Sequence, residues 1–132
     1  MAAVTVVAEL GINHGGSPEK ARLMIDVAAE CGCGGVKVQS FRCHEFLPEG
    51  HPDWMMFERC EIWPWLEHLA DRAHRKGLLF GVTPQSAESV QEAVDAGADY
   101  LKVGSDCLTH TRLMRAALES GLPVWVSTGM AT

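Results

Sequence analysis

The sequence predicts an α/β fold with parallel strands, and three observations carry that reading. Short runs rich in β-branched residues alternate with stretches whose apolar residues recur at helical spacing. A glycine follows each helical stretch shortly before the next strand. The strands are near-continuous apolar runs, as a sheet covered by helices requires. Alternation of this kind implies parallel strands joined by right-handed crossovers.

Residues 4–9 are β-branched and apolar, suit a buried strand, and end at Glu9. A turn follows over residues 11–16. Ser17 is a good N-cap and Pro18 takes the first helical position. Ala21, Met24, Ile25 and Ala28 then recur at helical spacing, and Gly32 closes the helix. The second strand covers residues 35–40. Its Val36 and Val38 alternate with Lys37 and Gln39, so the two polar side chains share one face. Residues 41–60 are punctuated by Pro48, Gly50 and Pro52 and are expected to form a long loop anchored by Trp54, Met55, Met56 and Phe57. The second helix buries Ile62, Leu66, Leu69, Ala70 and Ala73 and stops before Gly77. Strand three spans residues 78–82 and leads into Thr83-Pro84. Helix three starts near Ser86 and buries Val90, Ala93 and Val94 before Gly97. Strand four spans residues 100–103. Helix four carries Leu113, Met114 and Ala117 and stops at Gly121, and strand five spans residues 123–126. Five strands thus alternate with four helices in a single domain, residues 1–132, with no linker or low-complexity segment.

Composition bounds the function. A chain of 132 residues supports one domain with a real core. With 47% apolar and 21% charged residues it reads as a soluble globular protein. A net charge of −6 argues against a general nucleic-acid or anionic-membrane surface, while a few lysines can still set the potential of one pocket. No apolar run reaches the length of a membrane span, and the opening Met-Ala-Ala-Val lacks the basic region of a signal peptide. The five cysteines follow no framework spacing, which points to reduced thiols and a cytoplasmic protein.

The polar residues concentrate at the C-terminal ends of the expected strands: Glu9, Lys37, Gln39, Thr83, Lys102, Ser105, Ser127 and Thr128. In barrels and open α/β sheets this is the edge where ligands bind. Lys37 sits between apolar neighbours and is costly to bury without an anion. Lys37 and Lys102 together suggest a pocket for an anionic ligand. The six histidines make no recognised metal spacing with the cysteines, and Cys31-Gly-Cys33 reads as small thiols at a helix end rather than a zinc motif. His14 serves either a hydrogen bond that holds its turn or a catalytic part.

These residues also carry a resemblance. Ala8-Glu-Leu-Gly-Ile-Asn-His14 with Gly16-Ser17 resembles the opening motif of the sialic acid synthase family. Val36-Lys-Val-Gln39 with Phe41 resembles its second-strand motif. Trp65, Leu69, residues 77–80 and Thr83-Pro84 are similar to its third unit. Lys102-Val-Gly-Ser105 with Leu108-Thr109, and Ser127-Thr-Gly-Met-Ala-Thr132, are similar to its fourth and fifth. Two places depart from the pattern. Gln85 and Ser86 follow Thr83-Pro84 where the family usually has Phe and an acid. Asp106 and Cys107 follow Ser105 where it usually has Gly and then an acid.

The resemblance implies a parallel (β/α) barrel of TIM type, here about its first five strands and four helices. It implies a carbon–carbon bond-forming transferase that condenses phosphoenolpyruvate with an N-acetylated amino sugar to a nonulosonic, sialic-type acid. Lys37, Lys102, Thr83 and Ser105 would bind carboxylate and phosphate, Gln39 the sugar, and Glu9 would handle protons or sugar hydroxyls as the catalytic carboxylate. A divalent metal, manganese or magnesium, is expected for the full-length family, with no ligand identified in this chain. The chain is expected to be an incomplete catalytic domain that self-associates, with no nucleic-acid or membrane partner. The alternatives are a non-catalytic half-barrel binding an anion or a protein partner, and a Schiff-base aldolase using Lys102.

Overall fold

The computed structural model describes residues 4–129 and 131. Met130 and Thr132, which belong to the last matched motif, lie outside the described residues. The elements in order are β1 (Val7–Glu9), α1 (Pro18–Glu30), β2 (Gly35–Ser40), α2 (Cys43–Phe46), α3 (Trp54–Arg59), α4 (Leu66–Arg75), β3 (Leu79–Pro84), α5 (Ala87–Asp95), β4 (Tyr100–Val103), α6 (Thr111–Glu119) and β5 (Val124–Val126). Short 3₁₀ turns occupy Trp63–Trp65 and Ser105–Cys107.

The five strands form one parallel sheet in the order β1-β2-β3-β4-β5. Sequential order with one crossover per step is the wall of a (β/α) barrel; a doubly wound sheet would reverse around its first strand. Glu9 pairs with Lys37, Lys37 with Gly81, and Gly81 with Tyr100. Lys102 pairs with Trp125.

Alternation along the strands separates two faces. Val36, Val38, Phe80, Val82, Leu101 and Val103 are fully buried beneath the helices. The helices meet them with Ala21, Ile25 and Ala28 from α1, Leu66, Leu69 and Ala73 from α4, Val90 and Ala93 from α5, and Leu113 and Ala117 from α6. The many alanines let helix and sheet approach closely. The opposite face carries Glu9, Lys37, Gln39, Gly81, Thr83, Tyr100, Lys102 and Trp125, so the chain's core lies on one side of its sheet and its chemistry on the other.

The ends of the helices follow local rules. Ser17 Oγ accepts the Lys20 amide at 3.2 Å ahead of Pro18, and Ser86 Oγ accepts the Ser89 amide at 3.1 Å. Gly77 turns the chain from α4 into β3 at φ +73°, a conformation that strains any other residue. Arg72 of α4 holds Asp26 of α1 through two bonds of 2.8 and 2.7 Å. That pairing keeps the Asp26 carboxyl below its usual range.

Three expectations change. The segment 41–60 is not an unbroken loop but holds α2 and α3, because it has its own caps and partners: the Arg42 amide donates to Glu45 at 2.7 Å and the Cys43 amide to Glu61 at 2.7 Å. Strand one is shorter than its apolar run. Pairing begins where Val7 meets Gly35, and Val4, 89% exposed, has no strand to pair with. Strand three runs on through Thr83-Pro84, because β2 offers Gln39 and Ser40 as partners that far.

Candidate active site

The strand ends bring together most of the residues that sequence reasoning picked out. Lys37 is the centre. Its side chain is only 6% exposed, and its ammonium lies 2.5 Å from the Glu9 carboxylate on β1 and donates to Thr83 Oγ1 on β3 at 2.8 Å. Three neighbouring strands thus meet at one buried charge, and its desolvation is offset by a carboxylate and a hydroxyl. Gln39 lies two residues further along the same face of β2 and pairs with Thr83.

Continuing the β3–β4 register one residue past Val82 and Leu101 puts Lys102 beside Thr83. Lys102 is half-buried, and its ammonium donates to the Val103 carbonyl at 3.1 Å. No carboxylate lies within ion-pairing distance of it among the described residues. Ser105 opens the 3₁₀ turn after β4 and is exposed. A β-carbon on Gly129 would lie 3.3 Å from Ser105 Oγ, so the loops after β4 and β5 meet there. The Ser127 amide donates to the Val103 carbonyl at 3.0 Å.

The structure adds residues that sequence reasoning passed over or left open. Asn13, in the turn after β1, brings its amide oxygen 2.9 Å from where a β-carbon on Gly11 would stand, and Gln39 Oε1 approaches the same point at 4.0 Å. Their gathering depends on the backbone of a glycine turn, which no spacing rule displays. Tyr100 lies on the lysine face. Its ring crosses Gly81, its hydroxyl donates to the Val36 carbonyl at 3.2 Å, and it stacks on Trp125 with centroids 4.2 Å apart. Burial, with the charges of Glu9 and Asp99, pushes the Tyr100 hydroxyl up to about 12. Its alternation with Leu101 was the available signal.

His14 is buried. Its Nδ1 accepts the Gly16 amide at 3.1 Å, its ring stands nearly perpendicular to Trp65, and Nε2 has no hydrogen-bond partner. Burial lowers its pKa below the ordinary 6.5. Those contacts hold the turn.

The two departures from the family pattern touch one another: the Cys107 thiol donates to Gln85 Oε1 at 3.0 Å. Ser86 has become the cap of α5, and the Asp106 carboxylate folds back over Gly104. Beside them, Arg42 pairs with Glu92 of α5 and lies 4.2 Å over the Trp63 ring, tying the α2–α3 segment to the third unit. Among the described residues no three His, Cys, Asp or Glu side chains gather as a metal-ligand set.

The sequence profile described as the NeuB family matches residues 24–132. The chain belongs to the NeuB family. Lys37, Gln39, Thr83, Lys102 and Ser105 lie inside the matched range, and Glu9 precedes it.

Among curated relatives, an N,N'-diacetyllegionaminic acid synthase of Legionella pneumophila is 25% identical over 140 residues, covering 95% of this chain and 39% of that protein. An N-acetylneuraminate-9-phosphate synthase of Drosophila melanogaster is 27% identical over 149 residues, covering 98% and 38%. The sialic acid synthetase of Leptospira borgpetersenii, solved in complex with citrate, superposes on 99% of this chain and 46% of its own, with a TM-score of 0.93 and 30% identity. A truncated 3-deoxy-D-arabino-heptulosonate 7-phosphate synthase of Thermotoga maritima shares the fold, with a TM-score of 0.70 at 16% identity. The chain spans less than half the length of these relatives. They are similar in the part that carries β1 to β5, and this NeuB-family chain has the same barrel wall.

Proposed function

We propose that this chain supplies the phosphoenolpyruvate-binding wall of a synthase that joins phosphoenolpyruvate to an N-acetylated amino sugar and yields a nonulosonic acid and phosphate. The observation that carries the reading is the Lys37 ammonium, buried at the strand ends between Glu9 and Thr83, with Lys102 one strand further on. Two cations and the hydroxyls of Thr83 and Ser105 suit a ligand that bears a carboxylate and a phosphate. In the reaction the enol carbon attacks the sugar aldehyde, water adds at the cationic carbon left behind, and phosphate departs. Glu9 is the carboxylate that takes or holds a proton, and the Gln39 amide binds the sugar.

A divalent metal, manganese or magnesium, belongs to this reading as the group that would polarise the aldehyde. The described residues present no ligand set for it, so none is assigned and no step runs through it. A cytoplasmic setting fits the five free cysteines. No helix among the described residues is long and apolar enough to cross a membrane. Self-association completes the reading: Leu23 and Val27 on α1 and Leu118 on α6 are exposed apolar side chains at the two flanks of the sheet.

The second reading is a non-catalytic half-barrel whose Lys37 and Lys102 bind an anion, or which binds a protein partner. Calorimetry with phosphoenolpyruvate, followed by incubation with N-acetylmannosamine and manganese and an assay for phosphate release, separates the two. Binding with turnover supports the synthase. Binding without turnover supports the second reading, and no binding overturns both anion-site readings.

A further inference from the structure

We propose that Glu9 is a displaceable counter-ion: an anion reaching Lys37 takes the place of the Glu9 carboxylate, which is thereby released to act on the second substrate. The inference rests on the reading of these strand ends as a phosphoenolpyruvate site. The two ammonium groups on this face differ in their surroundings. Lys37 is already neutralised by Glu9 at 2.5 Å and held by Thr83 at 2.8 Å. Lys102 has a backbone carbonyl at 3.1 Å and, among the described residues, no carboxylate within 4.0 Å. Charge therefore draws an anion first to Lys102 and only afterwards to Lys37.

At Lys37 the newcomer meets the negative charge of Glu9 at the same ammonium. One carboxylate must yield, and burial decides which. The Lys37 side chain is 6% exposed, so moving it costs packing and desolvation, whereas Glu9 is 62% exposed and can turn into water. Glu9 is also the last residue of the three-residue edge strand β1, with a turn directly after it. Thr83 keeps the ammonium in place during the exchange. The same event that seats the first substrate thus frees the carboxylate that the second one needs.

The test is calorimetry of inorganic phosphate and of phosphoenolpyruvate at low salt with the wild type, Glu9→Gln and Lys102→Ala. Glu9→Gln should bind both anions about five-fold more tightly, and Lys102→Ala more weakly. A wild type that binds while Glu9→Gln binds no better overturns the inference and leaves the site reading standing. No binding by either protein overturns both. Because Glu9→Gln leaves a buried ammonium without its partner, carbon NMR of glutamate-labelled wild type gives a second measure. The Glu9 carboxyl resonance should move when phosphate is added, toward its position in Lys37→Met without phosphate. A resonance that stays put while phosphate binds overturns the inference.

Discussion

The Tyr100 ring lies across Gly81 of the neighbouring strand, so close that a β-carbon on Gly81 would stand 2.0 Å from ring atom Cζ. The absence of a side chain on β3 is what lets an aromatic ring from β4 reach over to the Val36 carbonyl on β2, the strand beyond. Gly81→Ala should therefore lower stability by about 1–3 kcal/mol through forced displacement of the ring. Denaturant unfolding followed by tryptophan fluorescence measures the loss. Pairing the change with Tyr100→Leu should cost less than the sum of the single changes, since the clash vanishes with the ring. Strictly additive losses would mean that the ring and the glycine do not meet.

Tyr100 is the chain's one tyrosine, so tyrosinate absorbance reports it alone. Its hydroxyl is pushed from 10 up to about 12, first by burial and then by Glu9 and Asp99. A folded-state pKa raised above the unfolded value gives stability that is complete below pH 10 and is lost as pH climbs through 12. The contribution is on the order of 3 kcal/mol. Tyr100→Phe should flatten the stability curve above pH 10. A tyrosinate midpoint near 10 in the folded protein would contradict the burial of the hydroxyl.

His14 works in the acid direction. Burial lowers its folded pKa below 6.5, so the unfolded chain takes up the proton first. The stability that neutral His14 confers is present above 6.5 and declines as pH falls below it. His14→Gln keeps an acceptor for the Gly16 amide and removes the proton site. Its unfolding free energy should fall less steeply than that of the wild type between about pH 7 and 5. His14→Leu, which leaves that amide without its acceptor, should cost about 1 kcal/mol at neutral pH.

The flanks of the sheet make a further expectation. Leu23, 60% exposed, and Val27 line a groove of about 390 Å³ with Ala8, Met24, Ala28 and Cys31. An apolar strip of this kind at a sheet edge favours association. Sedimentation velocity should show self-association that Leu23→Glu with Val27→Lys reduces. A wild type that stays monomeric at every concentration would remove self-association from the functional reading.

Much of the fold was legible because local signals agreed. Ser17-Pro18, Ser86 and the glycines after α1, α4, α5 and α6 mark the ends of elements, and Val36 and Val38 against Lys37 and Gln39 mark a two-faced strand. Strand order followed from the alternation itself. The α2–α3 segment was not legible, since its helices depend on Glu61 and Glu45 reaching backbone amides from outside any apolar period. Within the site, Lys37 and Thr83 could be placed on one edge from sequence, but their contact comes from sheet register. The placement of Asn13 and Gln39 around Gly11 and the crossing of Tyr100 over Gly81 come from tertiary geometry that no spacing rule encodes.

The remaining prediction separates what Lys37 does for the fold from what it does for the ligand. Its methylene chain is packed on the lysine face of the sheet, and its charge is offset by Glu9 and Thr83. Lys37→Met keeps the packed length and removes the charge. Replacing one end of a buried pair usually strands the other, but here the partner left behind is Glu9, which is largely exposed and regains water. Thr83 loses a donor, and its hydroxyl can turn to another acceptor. The variant should therefore unfold within about 1.5 kcal/mol of the wild type. Binding should behave otherwise. The ammonium offers the anion a charge-assisted hydrogen bond in a low-dielectric setting, and its loss should weaken phosphoenolpyruvate binding by about 1.5–3 kcal/mol. Lys37→Ala should lose binding by the same amount and stability by more, because it also empties the space that the chain fills. Calorimetry and denaturant unfolding on the two variants give the four numbers. Equal binding by the wild type and Lys37→Met would remove Lys37 from the anion site.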